Sequence, residues 1–362
     1  MPTPSQDGVS PVVLLCPSCK GRLAIAQNAY QCGGCGASYI VDEGVVRISR
    51  KQFYWGLVPK EDMRQVLATA YQQGYRRAVN EWLLPLKGEH IARYALDESR
   101  DGFKILLQLS PESVVLDLGS GWGAVATSIA RSCGWMVAAD PVLENLRFLN
   151  IRAEQEGIRN LSLLHTDPLD YAFIPIEDES IDAAILNGVL EWVGAAKASS
   201  SPARCQLEAL REVRRVLKPR GVLYIGIENR VGYQLLLGRP DSHSGLRFAT
   251  ILPRCLASLY SRVARGTDYR TYTYSIPGYK RLLGDAGFDR VNFHWPVFTY
   301  QDPDYVVGVE DTEAIGHLLV RIIGARTGSM AKRAALHAAN GLFRLGLGKY
   351  VVSCYAIAAT RG

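Results

Sequence analysis

Long apolar runs are missing from this 362-residue chain, and no uninterrupted hydrophobic segment reaches the length needed to cross a bilayer. The opening residues, Met1 to Ser10, are polar and proline-rich and lack the basic stretch and apolar run of a secretory leader. Charge of one sign is scarce as well. Forty-one basic side chains face 35 acidic ones, a formal +6 that argues only weakly for a polyanionic partner at this length. Eight cysteines are present, but four are bunched and Cys133, Cys205, Cys255 and Cys354 are scattered, which is not the framework of a disulfide-bonded secreted domain. These absences lead us to expect a cytoplasmic protein with buried thiols and a metal site.

What is present suits a folded chain with a large core: 48% of residues are hydrophobic and 21% charged. The length suggests two units or one decorated domain. Basic residues concentrate locally. Between Arg230 and Arg290 ten Lys or Arg face four Asp, and the last fifty residues hold seven basic residues and the single acid Glu313. Such segments form either a solvated basic surface or a face that attracts phosphates or an anionic membrane.

Cys16, Cys19, Cys32 and Cys35 form C-x2-C-x12-C-x2-C, with Pro17, Gly33, Gly34 and Gly36 in or beside the two knuckles. A two-residue gap lets both thiolates of a knuckle reach one tetrahedral metal, and glycine permits the turn. Neither pair has the βαβ surroundings of a redox C-x-x-C. Four sulfurs leave no position for water, so the expected Zn²⁺ is structural. Residues 38–48 predict two short strands around a turn at Asp42 to Gly44. The stretch 14–48 resembles the small zinc-ribbon protein that activates several tRNA, rRNA and release-factor methyltransferases. That resemblance implies support of a catalytic domain more than catalysis.

Residues 114–118 form an apolar strand that runs into Gly119-Ser120-Gly121-Trp122-Gly123, followed by helical periodicity over 124–132. A lone glycine motif is weak evidence; its position between strand and helix strengthens it. A second strand, 135–139, ends in Asp140, 23 residues after Asp117. An acid there can accept ribose hydroxyls, cap the helix predicted over 142–156, or do both. The pattern Asp117-x-Gly119-x-Gly121-x-Gly123 resembles the first motif of class I S-adenosylmethionine (SAM)-dependent methyltransferases. Further strands at 161–164, 181–186 and 222–228, with a helix at 208–217 broken by Lys218-Pro219-Arg220-Gly221, follow that family's order.

The resemblance, covering about residues 88–230, implies an α/β fold. The expected architecture is a Rossmann-like class I methyltransferase sheet of seven strands, the last pair antiparallel (290–297 and 350–360), with a small N-terminal β-rich zinc ribbon. It implies SAM contacts at Asp117, Gly119, Ser120, Gly121, Gly123, Asp140, Pro141, Asp167, Pro168 and Asn187. An acid near the adenine amino group is expected within His165 to Leu169, and Asn187 to Val193 looks like the family's post-strand segment. The expected organisation is 1–50 ribbon, 51–110 helical linker and lid, and 111–362 catalytic domain with insertions at 229–275 and 299–348. Tyr71 to Tyr75 would lie on a helix that either covers the cofactor or packs as an ordinary core or surface helix.

The acceptor is less legible. The Asn-Pro-Pro-Tyr that many enzymes acting on exocyclic base nitrogens carry after the fourth strand is absent, and Asn187-Gly188 replaces it poorly. In the first insertion, His243 near Asp241 can form a base with its orienting carboxylate, and Arg239 and Arg247 can bind a phosphate or carboxylate. A plain surface histidine in a turn-rich loop is the competing reading. The insertion also resembles a subgroup of bacterial methyltransferases that accompany glycan or glycolipid assembly. This implies an oxygen on a sugar or sugar phosphate as acceptor, lipid-linked in some cases, with peripheral membrane contact. The region 314–348 fits either an amphipathic surface or a packed helix pair. The alternatives are an rRNA or tRNA methyltransferase docking RNA through its ribbon, which modest charge and the all-cysteine ribbon disfavour, and a non-catalytic SAM-binding scaffold, which the intact acidic and glycine positions disfavour.

Overall fold

In the computed structural model, which describes residues 10–167, 171–197 and 199–362, the apolar strands assemble into one twelve-stranded sheet. In chain order the strands are β1 (Leu23–Ala26), β2 (Ala29–Cys32), β3 (Ser38–Asp42), β4 (Val45–Arg47), β5 (Val114–Leu118) and β6 (Trp135–Asp140). They continue with β7 (Leu161–His165), β8 (Ile181–Asn187), β9 (Leu217–Glu228), β10 (Phe288–Pro296), β11 (Val306–Gly308) and β12 (Cys354–Arg361). Their spatial order is β1-β2-β3-β4-β7-β6-β5-β8-β9-β12-β10-β11.

Within it, β7-β6-β5-β8-β9 are parallel and β12 lies antiparallel between β9 and β10, the expected seven-stranded core. The chain leaves the central β5 first towards β6 and β7, then returns to build β8 and β9 on its other side. The sheet therefore has a topological switch point between β5 and β8, and open α/β sheets bind ligands at the carboxyl ends of strands at such a point.

Period-two alternation sends successive side chains of one strand to opposite faces. Val114, Leu116 and Leu118 join one core cluster, with Leu210, Val213 and Leu283 of the helices Pro202–Val216 and Ile276–Asp285. Val115 joins the other, with Ile129 and Leu149 of the helices Ala124–Ala130 and Leu143–Gln155. Helices on both faces explain why these strands are apolar throughout rather than alternating.

The four-cysteine segment is built into this sheet. The expected hairpin forms as β3 and β4, and β4 pairs in parallel with β7, Val45 opposite Leu163 and Arg47 opposite His165. Val12, Leu14, Tyr39, Val46 and Ile48 share one core cluster with the main sheet. The edge of the sheet is thus covered by pairing, which protects its unpaired backbone groups.

One expectation needs adjusting, and one open choice is narrowed. Lys218 to Gly221 do not separate helix from strand; they lie within β9 as a bulge, since Ile181 pairs with Leu217 but Ala183 with Val222. Pro219 has no N–H to give the ladder, and Arg220 takes a left-handed φ of 67°. Tyr71 is exposed at the end of the helix Lys60–Gln73. Tyr75 is buried instead, its N–H donating to Gln155 Oε1 (2.9 Å) and its hydroxyl to Glu156. The segment is therefore fastened to the outer helix Leu143–Gln155. Arg152, fully buried, continues this fastening by donating to Ala95 O (3.1 Å) and Glu98 (3.1 Å).

The two expected insertions behave differently. In the second, Leu318, Leu319 and Phe343 pack into the core. In the first, the helix Arg254–Arg265 turns its small residues Ala257 and Ser261 inward and leaves Leu256, Leu259, Tyr260 and Val263 exposed, Val263 to 81%. The spacing is that of an amphipathic helix with its apolar stripe facing away from the protein.

Candidate active site

The glycine turn after β5 explains its own composition. Gly119, Gly121 and Gly123 all have positive φ (76°, 53° and 82°), which favours glycine. A Cβ on Gly119 would meet Val189 Cγ2 at 2.5 Å and one on Gly123 would meet Leu149 Cδ1 at 2.2 Å, so these two are needed for packing. A Cβ on Gly121 would meet nothing within 4 Å. Gly121 is thus the point where backbone faces open space and a ligand can approach.

Asp140, at the end of β6, holds this turn. Its Oδ2 accepts from Gly121 N (2.8 Å), while Oδ1 accepts from Val142 N (2.8 Å) and Asn145 Nδ2 (3.3 Å). A carboxylate has about four acceptor positions, so one remains for a hydroxyl. Capping and ligand binding are compatible, as the sequence allowed. Burial raises its pKa to about 6 against these hydrogen bonds. Burial also lifts neighbouring Asp117 to about 7, opposed by Arg100 and reinforced by Asp140.

Other expected positions gather along the same strand ends. Ser120 Oγ and both side-chain polar atoms of Asn187 are buried without a hydrogen-bond partner. Pro141 O meets His165 Nε2 at 3.1 Å. Asp167 accepts from Ser49 Oγ (2.5 Å) and Lys51 Nζ (2.7 Å), which follow β4. Burial works to raise its pKa, but Lys51 and Ser49 outweigh it and hold the carboxyl below the usual range. The cysteine-bearing segment thereby reaches the place where the resemblance puts the adenine. A cavity of about 450 Å³ between Tyr39, Ile48, Arg50, Thr166 and Phe173 lies at this junction. Pro168 lies outside the described residues.

A second cavity, about 340 Å³, lies beyond the end of β9 and includes Glu228, Arg239, Asp241 and Tyr300 in its walls. The insertion loop beside it is a tight turn: Asp241 Oδ2 accepts from Ser244 N (3.0 Å) and Ser244 Oγ (2.5 Å). Its Oδ1 meets His243 Nδ1 at 3.2 Å, so the expected pair forms. The His243 side chain is only 7% exposed, which removes the surface-histidine reading. Its Nε2 faces Glu191 Oε1 at 3.6 Å and Glu228 Oε1 at 3.7 Å, and Trp192 stands edge-on to its ring at 5.0 Å. Burial opposes its charge, yet Asp241, Glu191 and Glu228 prevail and push its pKa to about 11. Arg247 does not join the cluster through a charged partner; it donates to Gly238 O (3.0 Å).

Glu191, Glu228 and Tyr300, whose hydroxyl donates to Glu228 (3.1 Å), were not anticipated. A signal for Glu228 existed: like Asp140 on β6, it is an acid ending an apolar parallel strand, where the carboxyl ends of such sheets carry ligands.

The four cysteines also converge. Cys16 and Cys35 sulfurs are 3.6 Å apart, Cys19 and Cys32 sulfurs 3.3 Å, and all four lie within 4.8 Å of one another. Thiolates on one tetrahedral Zn²⁺ at about 2.3 Å would stand roughly 3.8 Å apart, so the donor set fits that ion.

Residues 116–225 match the family model described as a methyltransferase domain. The chain is 30% identical over 162 residues to uncharacterized methyltransferases of Mycobacterium bovis and Mycobacterium tuberculosis. That alignment covers 43% of this chain and 59% of the relatives' own length. Among solved structures, the phosphoethanolamine N-methyltransferase 2 of Haemonchus contortus is 15% identical, covering 83% of this chain and 60% of that one, with a TM-score of 0.41. A chain from the complex of the Haloferax volcanii Trm112 methyltransferase activator with a methyltransferase is 16% identical over 82% of this chain and 98% of its own, TM-score 0.41. Geranyl diphosphate C-methyltransferase of Streptomyces coelicolor is 15% identical over 86% of this chain and 92% of its own, TM-score 0.40. The chain thus carries a methyltransferase domain on an α/β Rossmann-like sheet. No helix among the described residues is long and apolar enough to cross a membrane.

Proposed function

We propose that the chain is a SAM-dependent methyltransferase that methylates an oxygen of a sugar, sugar phosphate or glycolipid in glycan or natural-product assembly. The observation that carries methyl transfer is the methyltransferase-domain match over 116–225, which begins at a glycine turn whose middle residue opens towards ligand space. Gly119, Gly121, Gly123, Ser120, Asp140 and Asn187 would hold SAM, with Asp117, Pro141 and the 167–168 segment flanking it. SAM supplies an already activated methyl group, so this chain's residues need only align the acceptor and handle its proton. Asp241 orients His243, whose Nε2 stands 3.7 Å from Glu228 on the wall of the acceptor cavity; the pair of the His243 imidazolium and the Glu228 carboxylate is what we assign to the acceptor hydroxyl, Glu228 taking its proton.

Arg239, on the wall of the same cavity, suits a phosphate or carboxylate on the acceptor. The outward apolar stripe of Arg254–Arg265, flanked by arginines and free of acids, supports a lipid-linked acceptor met at an anionic membrane surface. Zn²⁺ on Cys16, Cys19, Cys32 and Cys35 is structural, holding β1 to β4 against the catalytic sheet.

The deciding experiment incubates pure protein and methyl-labelled SAM with RNA, glycolipid and small-metabolite fractions of its source cells. Label that follows the glycolipid or sugar-phosphate fraction and resists nuclease is expected. Nuclease-sensitive label would replace this reading with an RNA methyltransferase, and no label in any fraction would favour a scaffold.

A further inference from the structure

Glu191, Glu228 and His243 come from three separate parts of the fold: the turn after β8, the end of β9 and the first insertion. One donor atom from each lies within 4.8 Å of the other two. From this convergence we propose that the three residues bind a divalent first-row cation, of the Mn²⁺, Fe²⁺ or Zn²⁺ class, which chelates oxygens of the acceptor. The inference rests on the reading that this cavity receives the acceptor, and it gives His243 the role of metal ligand where a metal-free site keeps it as the charged partner of Glu228.

Geometry separates a metal from a simple hydrogen-bond network. At 3.6 and 3.7 Å, neither carboxylate oxygen is within hydrogen-bond reach of Nε2, and one N–H could serve only one of them. Ligand atoms sharing a metal at about 2.1 Å stand roughly 3.0 to 3.5 Å apart, so the two contacts to Nε2 need contract by only a few tenths of an ångström, and the Glu191 and Glu228 oxygens already lie within 4.8 Å of each other. The second side of the ring is already set: Nδ1 is paired with Asp241 at 3.2 Å, the carboxylate–histidine arrangement that fixes the other nitrogen as the ligand.

Charge points the same way. Three carboxylates surround one imidazole, and among the described residues the ion pairs of Glu191 and Glu228 run to His243 alone. Glu191 is 1% exposed, and its Oε2 has no hydrogen-bond partner. One imidazolium balances at most one of the three carboxylates, so buried negative charge stays uncompensated unless a further cation joins the cluster. One imidazole and two carboxylates match first-row divalent ions better than Ca²⁺ or Mg²⁺, which prefer all-oxygen sites. Three protein ligands also leave positions for acceptor oxygens, so the acceptor would present two, such as vicinal hydroxyls or a hydroxyl beside a phosphate.

The test titrates Mn²⁺ into the full-length protein with its ribbon metal left in place and follows free Mn²⁺ by electron paramagnetic resonance. One saturable Mn²⁺ per chain is expected, weakened at least tenfold by Glu191→Gln and by His243→Asn, with SAM affinity and melting temperature kept in at least one variant. Absence of saturable binding, or binding that both folded variants retain, overturns the site. The two readings fail separately. Transfer to the glycolipid fraction without Mn²⁺ binding leaves the proposed function standing and removes the cation. Mn²⁺ binding without such transfer keeps the site and removes that acceptor.

Discussion

Asp140 carries two duties at once, and they can be separated. Its bonds to Gly121 N and Val142 N shape the turn, while its remaining acceptor position is the one a ribose hydroxyl would use. Asp140→Ala is expected to weaken SAM binding about tenfold, or about 1.4 kcal/mol, by calorimetry. Because burial raises this carboxyl to about 6, the ionised form that accepts hydroxyls is lost as pH falls through that value. SAM affinity should therefore be flat on the alkaline side and decline on the acid side, and Asp140→Asn should remove that inflection. An unchanged pH profile in the variant would leave Asp140 with capping alone. At Gly123, alanine faces both the left-handed φ and Leu149 at 2.2 Å, and a loss of about 1–3 kcal/mol of stability is expected. Gly121→Ala meets no neighbour and should cost mainly ligand affinity; equal melting shifts in the two variants would refute that division. The glycines and Asp140 were legible because a strand, a turn and an acid sit in a fixed local order. Glu191 and Glu228 were not, because their meeting with His243 depends on an insertion folding back over the sheet.

At the scale of elements, local pattern identified the strands of the central sheet, the β3–β4 hairpin and the two knuckles, but not β1, β2 or β11, nor what pairs with β4. Parallel pairing of residues 45–47 with 163–165 is a long-range choice that no local periodicity encodes. The helix Arg254–Arg265 shows the converse. Its amphipathic spacing is visible in the sequence, while the direction of its apolar stripe is not, since ordinary packing would have buried it. Leu259 and Val263 are 58% and 81% exposed, so replacing both with Glu should leave the melting temperature unchanged. If the stripe meets lipid, the same change should weaken binding to anionic vesicles by about tenfold or more, since each apolar side chain buried contributes about 1.5 kcal/mol or more. Sedimentation with phosphatidylglycerol vesicles measures this, and equal binding of the variant would exclude this helix as the contact.

On the scale of the whole molecule, the four-cysteine segment and the sheet share one core. Cys16 and Cys32 belong to the same buried cluster as Leu116, Leu186 and Ile225. Ser49 and Lys51, immediately past β4, engage Asp167 on the catalytic side. Loss of the metal should therefore unfold more than a small appendage. Protein purified without added metal should contain zinc, and Cys32→Ser should remove it. In the variant, one cooperative melting transition of the whole chain should move down by roughly 5 °C or more, several kcal/mol for a chain of this size. SAM affinity should fall with it, because β4 and the residues after it position Asp167. A calorimetric scan with a separate early transition and an unmoved main one would make the ribbon an independent module that merely rests on the sheet edge. Zinc-free protein that melts and binds SAM as before would remove the ribbon assignment itself. Lys51→Ala, which leaves every thiolate in place, isolates the link: reduced SAM affinity with full zinc content would trace the coupling to the Lys51–Asp167 ion pair, and unaltered affinity would trace it to the shared core.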